Sequence, residues 1–329
     1  MCGFALDWTS TLALERVVLL ATACPIDEGE RSEFGCCDVN FALSLISLGV
    51  DYVVYNPLSG RAHRVDPDAV GKRYLKGEYQ VVAPWELERF IPSNKVLVVG
   101  GDGTLSTVLQ WAYRYPVEIL YLPMGTLNER GKQGASPYLG LAGERAFGYV
   151  LATGVFCPLG WVASERDKKR WGRLAYLAKV WGEYKVPSIP AQVVSGGKTY
   201  CGQYALIMLI HSSTCFGLRF NRAYDREHGG GHLLLLPSTG RDGLLARIKL
   251  FFPLFRVFFV GVKADRETSR YIWRKVDEVT VDAPKLDWCL DGERVSLSRF
   301  AAAWVKMRAK VTVLSPREIK RTIDKLPVK

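Results

Sequence analysis

The stretch VLVVGGDGTLSTVLQWA, Val96 to Ala112, constrains the chain most. It opens on four apolar residues, Val96, Leu97, Val98 and Val99, three of them β-branched. That run reads as a buried strand. Gly100, Gly101, Asp102, Gly103 and Thr104 follow without a break. Then Leu105, Val108, Leu109 and Ala112 recur at i, i+3, i+4 and i+7, the apolar stripe of a helix. A strand, a glycine turn and a helix start aim free backbone N–H groups at one point. Glycines there let the backbone approach an anion that a Cβ would hold off.

Asp102 does not fit a bare phosphate site, because a carboxylate repels phosphate unless a cation lies between. Its presence points to a metal-bound nucleotide, Mg²⁺ with ATP. The plain alternative is an Asp-Gly turn after a buried strand, with no ligand.

Two more units follow the same logic. Tyr52 to Tyr55 reads as a strand and runs into Asn56-Pro57-Leu58-Ser59-Gly60. Val117 to Leu122 reads as a strand and runs into Pro123-Met124-Gly125-Thr126-Leu127-Asn128. Between them, Tyr79 to Ala83 is a short strand candidate and Trp85 to Phe90 a helical turn after Pro84. Strands alternating with helices imply a parallel sheet, whose ligands sit at the strands' carboxyl ends. The three loops can then converge on one nucleotide.

The pattern changes after about Val155. Ala191–Ser195, Tyr200–Ile210, Cys215–Asn221, His232–Leu236, Lys275–Val281, Trp288–Leu290, Arg294–Leu297 and Val311–Leu314 read as short strands with glycine-rich turns between them. Trp171–Tyr184 and Leu244–Phe259 read as helices. The expected fold class is α/β plus mostly-β. An extension, 1–50, packs on an α/β nucleotide-binding domain with a parallel sheet, 51–156. An antiparallel β-sandwich substrate domain spans 157–310, with a cleft between the two. A basic segment, 311–329, can return to the first domain.

NPLSG (Asn56–Gly60), GGDGT (Gly100–Thr104) and PMGTLN (Pro123–Asn128) resemble, in order and spacing, the three nucleotide motifs of the diacylglycerol kinase catalytic-domain family. That family includes bacterial lipid kinases, sphingosine kinases and ceramide kinases. Gly229–Gly231, Pro237, Asp242-Gly243 and the LDGE of Leu290–Glu293 extend the resemblance over roughly residues 50 to 315. It implies a lipid kinase that uses ATP and Mg²⁺ between an α/β domain and a β-sandwich lipid domain. By motif match, Asn56, Ser59, Gly60, Gly100, Gly101, Gly103, Thr104, Gly125, Thr126 and Asn128 would line the nucleotide. Asp102 would serve the Mg²⁺–phosphate network. Glu293 would be the general base toward a lipid hydroxyl, and Asp291 would help to place metal or water. Without the family, Asp291-Gly292 reads as a type I′ turn between two strands. The chain departs from the family at Ser106-Thr107, where an Asn-Glu pair is usual, and at Glu129-Arg130-Gly131-Lys132, where an Asp-Phe-Ala-Arg-like run is usual. The alternatives are an NAD kinase-like enzyme, which shares GGDGT, and a relative that binds nucleotide or lipid without turnover.

Composition narrows the setting. The 329 residues are 48% hydrophobic and 23% charged, a globular balance with room for two domains. No basic segment precedes the first apolar run, which argues against a signal peptide. The eight cysteines form no C-x-x-C pair, and a reducing cytoplasm fits them. Net charge is +11, and from Arg299 onward nine basic residues face only Glu318 and Asp324. Such an excess favours an anionic partner. Nucleic acid, a phosphorylated substrate and an acidic lipid surface all answer to it, and a solvated surface face is the plain alternative. No nucleic-acid-binding motif accompanies the charge. The expected partners are a lipid substrate and an anionic membrane surface, met peripherally by a cytoplasmic protein at the inner face of the membrane. Leu244 to Val262 mixes five phenylalanines with Arg247, Lys249 and Arg256. Phe251, Phe255, Phe258 and Phe259 share a helical face there, and Pro253 must kink or start the helix. Such a segment suits either a membrane interface or an amphipathic core helix. Lys168, Lys169, Arg170 and Trp171 offer a second headgroup contact. His228 and His232 flank three glycines, a loop rather than a helical metal pair.

Overall fold

The computed structural model describes residues 50–92, 94–125, 128, 131, 134–157, 184–215, 217–240, 243–315 and 318. The expectations for residues 1–49, the helix at 171–183, Lys168–Trp171, Thr126, Glu129-Arg130 and Asp242 lie outside these.

The first sheet is built from β1 (Asp51–Tyr55), β2 (Tyr79–Val82), β3 (Lys95–Gly100) and β4 (Glu118–Pro123). A fifth strand, Lys310–Val313, joins it from the far end of the chain. All neighbours pair in parallel, with β3 between β1 and β4. Alternation along β3 explains its apolar run. Val96 and Val98 face one core; Leu97 and Val99 face the other. A strand buried on both faces needs no polar side chain. Helix α1 (Pro67–Tyr74) covers one face through Val70, starting where the Asp66 side chain accepts from Asp68 N–H. Helix α2 (Asp102–Ala112) covers the other. Leu105, Val108, Leu109 and Ala112 are fully buried there. Each of the larger side chains contributes roughly 1.5–3 kcal/mol on burial. The expected turn after Pro84 is a 3₁₀ helix, Pro84–Arg89.

The second sheet is antiparallel. It contains β5 (Tyr138–Ala142), β6 (Arg145–Phe147), β7 (Val150–Gly154), β8 (Ile189–Ser195) and β9 (Lys198–Ile210). A small hairpin, β10 (Thr214–Cys215) and β11 (Leu218–Arg219), stands apart. The sheet continues with β12 (Gly231–Pro237), β13 (Arg266–Glu267), β14 (Ile272–Val276), β15 (Glu278–Leu290) and β16 (Glu293–Lys306). The strand Lys310–Val313 is β17. Two long strands, β9 and β15, organise this domain. Both β7 and β8 pair with both of them, end to end in one slot. Apolar side chains of β9 and β12 alternate between an inner core with Trp288 and Phe300 and an outer core. The outer core is capped by α3, Leu244–Phe255, through Leu250 and Leu254.

The expected mixed architecture is therefore the observed one, with differences in detail. Residues 138–154 hydrogen-bond in the antiparallel sheet, although the sequence reading kept them with the first domain. Their glycine-interrupted apolar runs carry no period that separates a parallel from an antiparallel strand. Val311–Leu314 reads as one of the second-domain strands, with 311–329 also able to return to the first domain; Lys310–Val313 pairs in parallel with β4 and completes the first sheet. Lys275–Val281 spans the break between β14 and β15 at Asp277. Of the basic residues from Arg299 onward, Arg299 and Lys306 lie on β16 and Lys310 on β17. They belong to sheets, not to a tail. Helix α3 passes through Pro253 and ends in a wide π turn, Arg256–Val260. No helix among the described residues is long and apolar enough to cross a membrane.

Candidate active site

Parallel strands β1, β3 and β4 end side by side, so the three loops after them are neighbours. Hydrogen bonds stitch them together. Asn56 Nδ2 donates to Thr104 Oγ1 at 3.0 Å, joining the first loop to the second. Arg61 N–H donates to Met124 O at 2.8 Å, joining the first to the third. Met124 N–H donates to Gly100 O at 2.7 Å, joining the second to the third. Asn56 also takes Leu58 N–H on its Oδ1, an Asx turn that shapes the NPLSG loop.

Glycines make this approach possible. A Cβ on Gly125 would lie 2.6 Å from Gly101 Cα. One on Gly101 would lie 2.7 Å from Ser59 Oγ. Gly60 has φ +50° and would drive a Cβ into Met124 O. One on Gly103, at the first turn of α2, would meet open space. The loops thus pack backbone on backbone and leave the helix start free on its outer side.

Asp102 occupies the first turn of α2, where the helix dipole favours a carboxylate. Tyr121 Oη donates to its Oδ1 at 3.3 Å. Asn128, held at φ 48°, donates from Nδ2 to Gly125 O at 2.7 Å. Its Oδ1 is buried without a partner, an acceptor turned toward the loop cluster. An orphaned acceptor of this kind suits a donor on a bound group.

The hairpin β15–β16 ends in Asp291 and Gly292, with φ of 51° and 98°, the two positive angles of a type I′ turn. Asp291 is buried and its carboxylate is fully engaged. Oδ2 accepts from Ser106 Oγ and Gly148 N–H, both at 2.5 Å. Oδ1 accepts from Tyr149 N–H at 2.9 Å and Val150 N–H at 3.0 Å. Ser106 stands one helical turn after Asp102 and so on the same face of α2. The hairpin tip is thereby tied to the helix that starts at the glycine loop. Glu293 opens to solvent at the start of β16. Surrounding protein raises its carboxyl pKa, Asp291 adds repulsion, and Arg145 opposes both.

Among the described residues, no group of three or more His, Cys, Asp or Glu stands ready to hold a metal. Mg²⁺ commonly takes one or two carboxylates and completes its shell with phosphate and water. Asp102 fits that pattern. Asp291 was expected to share a metal, and its two oxygens already accept four hydrogen bonds. Beside it, a void of about 10 Å³ between Gly148, Ser136 and His211 holds one water at most. His232 lies buried in β12, where Nδ1 meets Asn221 Nδ2 at 3.1 Å.

The sequence reading named Ser106 only as a departure. Its role as Asp291's partner across 185 residues had no local signal. The same holds for the amides of Gly148, Tyr149 and Val150.

Residues 52–133 match the family model described as the diacylglycerol kinase catalytic domain. That span contains all three loops and stops short of Asp291 and Glu293. No curated protein sequence matches the chain. Solved structures from Bacillus anthracis str. Sterne are similar in fold. One, named a diacylglycerol kinase, has a TM-score of 0.55 at 12% identity. Two carry that name provisionally, with TM-scores of 0.62 at 13% identity and 0.60 at 12%. In each case the similarity covers 82% of this chain and 98% of the other. The chain is thus a distant, structurally convincing match to the diacylglycerol kinase catalytic-domain fold.

Proposed function

We propose that this protein is an ATP- and Mg²⁺-dependent lipid kinase. It transfers the γ-phosphoryl group to a hydroxyl of a diacylglycerol-like or sphingoid/ceramide-like lipid. The observation that carries this reading is the Ser106–Asp291 hydrogen bond. It ties the tip that presents Glu293 to the helix that starts at Asp102. A phosphate site and a proton acceptor then share one locality, as phosphoryl transfer to an alcohol requires. The family match over the three loops supports the same reading.

Each residue has a distinct task. The amides at Gly101–Thr104 and the start of α2 receive phosphate oxygens. Asn56 fixes Thr104, and Gly60, Gly101 and Gly125 keep the loops close enough to form one cradle. Asn128 offers its orphaned Oδ1 to a donor on the nucleotide. Asp102 would hold Mg²⁺, which neutralises phosphate charge when bound. Glu293 accepts the lipid hydroxyl's proton while the new O–P bond forms and the bond to the bridging oxygen breaks, leaving ADP. Its raised pKa makes it a better base than an ordinary carboxylate. Asp291 positions Glu293 and spends its own charge on Ser106 and three amides.

Incubation with labelled ATP and a panel of diacylglycerol, sphingoid base and ceramide tests the proposal. Label is expected in one lipid class, and Asp102→Asn and Glu293→Gln are expected to abolish it. A blank across the panel from wild-type protein, or label that persists in both variants, overturns it.

A further inference from the structure

We propose that the outer face of α3 and its π turn docks the protein onto an anionic lipid surface. Soluble proteins seldom leave a contiguous apolar patch unpartnered. Among the described residues, eight of the eleven exposed large hydrophobics lie between Leu244 and Val260. Leu244 and Leu245 are 76% and 75% exposed, and Phe252 and Phe259 are 58% and 59% exposed.

The patch is rigidly mounted. The opposite side of the segment, through Ala246, Leu250, Leu254 and Val257, is buried in the outer core of the second sheet. Tyr184 Oη donates to Arg247 O at 2.9 Å. Phe251, Phe255 and Phe259 stack in a ladder with ring centroids 5.8 and 5.2 Å apart. Phe258, expected on the same face, instead packs on Phe220 at 4.6 Å. The π turn at Arg256–Val260 widens the helix there and rotates Phe258 inward, while Phe259 stays out.

Charge identifies the occupant. From Gly243 to Ala264 the chain carries Arg247, Lys249, Arg256 and Lys263 and no acidic residue. Phenylalanine and leucine at the tip with cations among them match the boundary between acyl chains and anionic headgroups. A second copy of the same surface would bring like charges together. A cavity of about 230 Å³ adjoins the patch, lined by Tyr184, Leu244, Arg247, Ile248 and Phe251. Its walls are apolar except for Arg247 and the Tyr184 hydroxyl. This docking deepens the lipid-kinase reading but stands on its own surface chemistry.

Flotation with vesicles, without nucleotide, tests it. Wild-type protein is expected to float with vesicles of phosphatidylcholine and phosphatidylglycerol in equal shares, and to do so less as salt rises. Phe252→Ser/Phe259→Ser is expected to weaken binding at least about tenfold with an unchanged circular dichroism spectrum. Lys249→Ser is expected to weaken it less and to lower its salt sensitivity. Failure to float, or flotation unaffected by the double substitution, overturns the docking surface. So does a dimer seen by sedimentation that the double substitution breaks. Vesicle binding without phosphorylation of any lipid would leave docking intact and overturn the catalytic reading instead.

Discussion

Ser106 Oγ donates to Asp291 Oδ2 at 2.5 Å, a bond between the helix of the parallel domain and the hairpin tip of the antiparallel one. The residues are 185 positions apart and both are buried. In a water-poor contact, a hydrogen bond to a carboxylate is worth more than the same bond at a surface. It joins the two domains beside a shared apolar contact, in which Leu139, Ala146 and Met307 pack in one core with Leu105, Val108 and Leu109 of α2.

Ser106→Ala should therefore reduce turnover more than nucleotide binding. Three amides still satisfy Asp291, so the loss of stability should be about 1–2 kcal/mol. Thermal denaturation is expected to show a midpoint a few degrees lower. Steady-state kinetics should show kcat falling while the KM for ATP holds. An unchanged kcat would remove the positioning role from this bond.

Gly125→Ala should damage the loop cradle selectively. The new Cβ would meet Gly101 Cα at 2.6 Å, and backbone rather than a flexible side chain has to move. Affinity for ATP, measured by calorimetry, is expected to drop at least about tenfold, as roughly 1.4 kcal/mol of lost interaction does. Gly103→Ala, whose Cβ points into open space, should cost the fold little. If Gly125→Ala binds ATP as the wild type does, the close approach of the loops is not what makes the site.

Much of this was readable beforehand because it is local. Val96–Val99 is apolar at every position since both faces of β3 are covered, and Gly100–Thr104 must turn where the strand stops. The turn at Asp291-Gly292 announces itself by residue type. Long-range features left no such trace. Gly148, Tyr149 and Val150 contribute only amides to Asp291, and an amide has no residue signature. The partner of Lys310–Val313 stays open in the sequence, where Val311–Leu314 reads with the second-domain strands and 311–329 can also return to the first domain, because a short Lys-Val-Thr-Val strand suits either sheet. A regular helical period puts Phe258 beside Phe255, whereas the π turn at Arg256–Val260 breaks that period and Phe258 packs on Phe220.

Glu293→Gln should remove turnover while leaving the fold and nucleotide binding in place. The carboxyl is exposed to solvent on one side, so the amide has room and few contacts to lose. Burial raises the pKa of Glu293, chiefly over the effect of Asp291, and Arg145 pulls it down. The acid limb of kcat/KM should therefore be displaced upward from that of an ordinary glutamate. Arg145→Met should move that limb further up, since it removes the one opposing charge. A limb unmoved by Arg145→Met would assign it to another group.

His232 should make the protein sensitive to mild acid. It is buried, stacks on Trp273 at 5.0 Å, and its Nδ1 accepts from Asn221 Nδ2. Burial pushes its pKa down to about 4, helped by Lys275, His211 and His228 and opposed by Asp265. The unfolded chain protonates it near 6.5. Above that pH the residue is neutral in both states and contributes no slope. As pH falls from 6.5 toward 4, only the unfolded state gains the proton, and stability is lost. The whole effect is at most about 3 kcal/mol, reached near pH 4. His232→Gln keeps an acceptor for Asn221 and does not titrate. Denaturant midpoints at neutral pH should favour the wild type, and the difference should shrink steadily between pH 6.5 and 4. A constant difference over that window would show that His232 is not the group that titrates.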